Sequence, residues 1–175
     1  MAVEDFMNFA KKCLRPPGEG VFTVSNAKDR KDQLHKSLYG SISDVSDAWL
    51  STLAKNLDPN KSQVAALGIC SDTGGGIQRG ANWGPLFLRQ TMIEQQKWEL
   101  LDLGDVFIVP QVLHDKYLND ETISTIRKSI YQDENSSYPV SPLSITEEAV
   151  RLANTNFPNL KIFGIGGDHS ISYSL

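Results

Sequence analysis

Gly166-Gly167-Asp168-His169-Ser170 is the segment whose residue types and spacing best suit chemistry. Two glycines let backbone approach a ligand closely. Beside them stand a carboxylate and an imidazole, the latter a common metal ligand and proton shuttle. The same residues fit a glycine-rich turn whose Asp168 and His169 cap a following helix, and the sequence leaves both roles open. Residues 72–89 are a second candidate. Gly74-Gly75-Gly76 suggests a phosphate cradle, but neither Gly-Lys-Ser/Thr nor Gly-x-Gly-x-x-Gly accompanies it, so a pocket-lining loop is expected. Asp102 and Asp105 could bind a cation or act as acid and base. Acids at a strand end more often make turns and cap amides, and that structural role is expected here. His35 and His114 lack partners at metal-binding spacing and read as satisfied or solvated polar residues. Cys70 reads as a small buried thiol, with a Cys70–His169 nucleophile and base as the alternative.

The apolar pattern supplies the elements that must position these residues. Ile42, Val45, Trp49, Leu53 and Leu57 recur at three- and four-residue spacing. They predict a core-facing helix over 42–57, capped by Ser41 or Ser43 and stopped by Asp58-Pro59-Asn60. Residues 64–69 are apolar at nearly every position and predict a strand buried on both faces. Pro85, at a first helical position, opens a helix to about residue 96. Residues 98–103 and 106–109 are strand-like, with Gly104-Asp105 interrupting them. Residues 120–131 predict a helix with Ile123, Ile126 and Ile130 on one side, and 132–143 a loop. Ser144 and Glu147 have capping-box spacing, so a helix is expected from Ser144 to about Asn156, closed by Pro158. Residues 160–165 predict another buried strand. Upstream, Phe6, Met7, Phe9 and Ala10 can share a helical face before the break at Pro16-Pro17-Gly18, and the charged run 26–36 reads as a solvated loop or helix face.

Strand, helix, strand, helix, strand is the α/β pattern, with a mostly parallel sheet and right-handed crossovers. Chemistry in such sheets sits at the carboxyl ends of the strands. The loop after Ile69 and the Gly-Gly-Asp-His-Ser segment both fall there. After His169 only about one helical turn remains before Leu175, so the chain reads as partial. Its 175 residues are a soft prior for one domain. A net charge of −4 argues against a nucleic-acid partner. No apolar run is long enough to span a bilayer, and the acidic start lacks the basic region of a signal peptide. Two cysteines fit a reduced, cytoplasmic protein.

At these motifs the sequence resembles the ureohydrolase family: arginases, agmatinases, formimidoylglutamases and guanidino-acid hydrolases. Ile165 to Ser170 resembles the family's first metal-ligand motif. Gly68-Ile69-Cys70-Ser71-Asp72, followed by Arg79-Gly80-Ala81-Asn82-Trp83-Gly84-Pro85 and Arg89, resembles its first strand, loop and helix. Leu101 to Val106 resembles its second strand. The resemblance covers residues 62–175, read as the N-terminal half of an arginase-like domain, with 1–61 as a helix-bearing extension. It implies a three-layer α/β/α fold, incomplete in this chain, and hydrolysis of a guanidino or formimino carbon–nitrogen bond by two manganese ions. It further implies a small-molecule substrate and a homo-oligomer. His169 matches the first histidine ligand and Asp168 a group that orients it; residues 73–79 would lie near the pocket rim. No catalytic or substrate-binding residue carries over. The family's Asp-Ala-His-x-Asp and Ser-x-Asp-x-Asp motifs occur nowhere in the chain. Five of six expected ligands are therefore missing, and the chain alone is expected to be inactive. The alternative is a non-catalytic half-domain that associates with a partner subunit.

Overall fold

The two most apolar runs become adjacent strands in the computed structural model, which describes residues 2–21, 27–77, 79–107 and 112–175. β2 (Gln63–Ile69) pairs in parallel with β3 (Leu101–Val106) on one side and β4 (Leu160–Gly166) on the other. A two-residue β1 (Leu14–Arg15) runs antiparallel on β3, giving the order β1-β3-β2-β4. β2 is therefore a central strand, which explains why Ala65, Ala66, Leu67 and Ile69 are all buried. The chain is thus mixed α/β with a mostly parallel sheet.

Helices cover both faces. α1 (Ala2–Cys13), α3 (Val45–Asn56) and α6 (Pro142–Asn156) share one apolar cluster with the sheet, built from Phe6, Phe9, Trp49, Leu53, Ala149 and Phe157 against Leu67, Ile69 and Leu103. Burying side chains of this size stabilises the fold by about 1.5–3 kcal/mol each. The other face of β2, at Gly68, meets Arg89 of α4 (Gly84–Glu94). Leu86 of α4 packs in turn with Leu34 of α2 (Lys28–Tyr39). The charged run 26–36 is thus mostly helix; Asn26 lies outside the described residues. α5 (Asp120–Tyr131) spans the predicted range, although none of its side chains is fully buried.

Several boundaries differ from expectation. α3 starts at Val45 because the Asp44 carboxylate accepts from the Asp47 amide at 2.9 Å, so Ile42 stays outside the helix and exposed. α6 starts at Pro142 with Ser141 as N-cap, since proline fits a first helical position. Ser144 therefore lies within the helix and forms no capping box. β3 is continuous through Gly104-Asp105, residues 98–100 precede it, and 108–109 lie outside the described residues. Between Ala66↔Asp102 and Gly68↔Asp105, β3 advances three residues against two on β2, which is a bulge. Gly104 makes it possible at φ +93°: a Cβ there would lie 2.3 Å from the Arg15 carbonyl oxygen. β4 is an edge strand rather than a strand buried on both faces, with Phe163 44% exposed.

The bulge turns Asp102 and Asp105 toward Arg89, which is wholly buried. Arg89 Nε and Nη2 donate to the two oxygens of Asp102, each at 2.8 Å, and Nη1 donates to Asp105 Oδ1 at 2.5 Å. Nη2 also reaches the Gly104 carbonyl, and Asp105 Oδ2 accepts from the Gly18 and Gly20 amides. Burial disfavours both charged partners. It raises the pKa of Asp102, which Arg89 pulls back only in part, while the two carboxylates outweigh burial at Arg89 and raise its pKa. Such a network contributes little when complete and costs much when broken. Arg89→Met strands two buried carboxylates, so urea unfolding is expected to show a loss of about 3–5 kcal/mol. A loss below about 1 kcal/mol, the scale of an exposed pair, would refute this account of the network.

Candidate functional site

β2 and β4 run in register from Gln63↔Leu160 to Ile69↔Gly166, so the segments that follow them leave the sheet together. The pairing continues one step further. The Gly167 amide donates to the Ile69 carbonyl and the Asp168 amide to the Ser71 carbonyl, both at 3.0 Å. Glycine is required at 167, because a Cβ would stand 1.9 Å from the Ser71 carbonyl oxygen. Gly74 lies over the same spot, its missing Cβ 2.6 Å from that of Ser170. The structure thus brings the two sequence candidates into contact at the carboxyl edge of the sheet.

Asp168 and His169 open a single 3-10 turn, residues 169–173. Asp168 caps it: Oδ1 accepts from the Ser170 amide at 2.8 Å and its hydroxyl at 2.5 Å. The carboxylate does not bond the His169 ring. His169 is exposed, with Nδ1 3.3 Å from the Ser172 hydroxyl, and no described residue bonds Nε2. Asp168 Oδ2, Ser71 Oγ and Asn82 Oδ1 are buried at this edge without hydrogen-bond partners. Asp72 ties the neighbouring loop: Oδ2 accepts from the Gly80 amide at 2.8 Å, and Arg79 donates to the Asp72 carbonyl at 2.7 Å. The glycine run is a loop closed by these bonds, with Gln78 outside the described residues.

The other candidates go elsewhere. Asp102 and Asp105 belong to the Arg89 network and have the structural role expected of them. His35 Nε2 donates to the Pro17 carbonyl, 2.8 Å away and buried. Cys70 is 3% exposed, with Sγ toward Gly20 and Asp105, while His169 faces solvent. Burial, and then the Asp105 charge, push its thiol pKa up. The nucleophile–base reading of Cys70 with His169 is therefore not supported by the geometry. Burial pushes Cys13 up to about 12. His114 bonds both Ser144 and Glu147. The sequence signal for that pair was the Ser144–Glu147 spacing, which suggests a cap but here sets both side chains toward one imidazole.

No protein-family model, curated protein or solved structure matches the chain. Among the described residues no helix is long and apolar enough to cross a membrane. Neither thiol should be reactive: an alkylating agent at pH 8 is expected to modify Cys13 and Cys70 only after the chain is unfolded. Rapid modification of Cys70 in the native chain would restore it as a nucleophile.

Proposed function

We propose that this chain is the N-terminal half of a ureohydrolase-type amidine hydrolase, and that His169 is one ligand of its two-manganese centre. The observation that carries the reading is the placement of Gly-Gly-Asp-His-Ser at the carboxyl end of a parallel strand beside the central one. It sits against the loop whose sequence resembles the same family. Imidazole and carboxylate suit manganese. The donor set fits as far as it goes, since His169 Nε2 is unengaged and Asp168 Oδ2 is buried and unpartnered. Among the described residues, however, no three His, Cys, Asp or Glu side chains converge on one point. The other ligands, and the groups that grip a guanidino or formimino substrate, would come from further residues. When bound, the two ions supply a hydroxide at neutral pH. The chain's own part is to hold one imidazole at a rigid strand end, with Asp168 fixing the turn beneath it.

The arginase-like three-layer arrangement, a cytoplasmic location and a homo-oligomer belong to the same proposal. A partner-associating half-domain is a second reading, favoured by one observation. β4 has no described strand on its outer side, and Val64 and Phe163 are 45% and 44% exposed on one sheet face. Exposed strand edges invite pairing.

Urea or ammonia release from arginine, agmatine and formiminoglutamate, with manganese added, tests the main reading. The 175 residues alone are expected to show no turnover. A longer protein in which they are joined to an Asp-Ala-His-x-Asp segment is expected to be active. There, His169→Asn should lower activity by about 100-fold or more, at least the loss that follows when a group supporting a ligand is removed. Turnover by the 175 residues alone, or a His169→Asn protein as active as its parent, would overturn the proposal.

A further inference from the structure

A cleft of about 450 Å³ opens at the amino ends of β2 and β3, away from the strand-end site. The last residues of α2, the second half of α3 and the first residues of the two strands bound it, together with the segment that leads into β3. Its volume is in the range of small-molecule sites. Leu38, Val64 and Trp98 give it apolar walls, and Val64 is 45% exposed although β2 is a central strand. Covering that surface with the apolar body of a ligand is favourable.

The charges on the walls are of one sign. Asp102 and Glu99 both line the cleft, and no lysine, arginine or histidine does among the described residues. Lys55, Lys97 and Lys161 adjoin wall residues in sequence or register without lining it. Asp102 is spent, because Arg89 holds both of its oxygens at 2.8 Å. Glu99 is exposed and forms no ion pair among the described residues. An indole face attracts cations, and Arg89 Cζ already stands 5.9 Å from the centre of the Trp98 ring. The Tyr39 hydroxyl, also on the wall, bonds no described residue. Burial, and then the Asp102 charge, raise its pKa, so it stays neutral and can accept from an ammonium group.

We propose that this cleft binds a small organic cation, an arylalkylamine whose ammonium group lies by Glu99 and Trp98 while its apolar body covers Val64 and Leu38. An anion of the same shape would meet an unpaired carboxylate. A neutral analogue would gain nothing from Glu99. The site is separate from the strand-end site and does not depend on the manganese reading.

The test is titration of the isotope-labelled chain with phenethylamine, phenethyl alcohol and phenylacetate, followed by NMR at the Trp98 indole N–H. Phenethylamine is expected to shift that resonance saturably. The alcohol should bind about tenfold more weakly, having neither the ion pair nor the cation–π contact, and phenylacetate should not bind at the same concentrations. Glu99→Gln, at an exposed position, should weaken phenethylamine by about threefold and leave the alcohol unchanged. Val64→Lys puts a cation into the cleft and should abolish amine binding while the rest of the amide spectrum keeps its dispersion. The absence of a saturable shift with phenethylamine would overturn the proposal. So would an alcohol or an acid that binds as tightly as the amine, or amine binding that either variant leaves unchanged.

Discussion

A guanidinium with no exposure to solvent dictates much of this fold. Arg89 can sit inside only where its nitrogens find acceptors, and Nε, Nη1 and Nη2 each bond an oxygen of the same strand. Asp102 and Asp105 face the same side only because Gly104 bulges β3, since side chains three apart on a regular strand point to opposite faces. The bulge in turn needs a left-handed glycine beneath Trp49 and Arg15. Asp105 extends the network to the Gly18 and Gly20 amides, which anchors the segment after β1. Gly68 completes the fit: a Cβ there would fall 1.8 Å from Asp105 Oδ1. One buried cation thus couples α4, β2, β3 and the N-terminal segment.

This coupling has a consequence at the sheet's carboxyl edge. On the β3 side of β2, the polar atoms are consumed by structure. On the β4 side, Asp168 Oδ2, Ser71 Oγ and Asn82 Oδ1 remain unsatisfied and His169 projects outward. Gly84 adds to the rigidity of this edge, because the start of α4 packs against the Gly166 carbonyl with no room for a Cβ.

The sequence made most elements legible because their signals were long. Residues 65–69 and the face of Phe6, Phe9 and Ala10 are buried as their patterns require, 120–131 forms the helix its spacing predicts, and 160–165 forms a strand, though at the edge of the sheet. β1 was invisible because two residues have no period. Gly104-Asp105 read as an interruption because a bulge and a turn share the same residue types. The shared capping at Ser144 and Glu147 misled for a similar reason: Pro142 starts the helix earlier, which frees Ser144 for His114. At the strand-end site, residue types indicated position well. They left open whether Asp168 caps a turn or orients an imidazole, and the described contacts show the cap.

Pulsed electron paramagnetic resonance of manganese added to a longer protein, in which these residues are joined to an Asp-Ala-His-x-Asp segment, tests the central claim most directly, because it reads the atoms bound to the ion without needing turnover. The account predicts nitrogen modulation from coordinated imidazole that weakens in His169→Asn. A spectrum with oxygen ligands alone, or nitrogen modulation unchanged by His169→Asn, would contradict His169 as a metal ligand and with it the ureohydrolase reading.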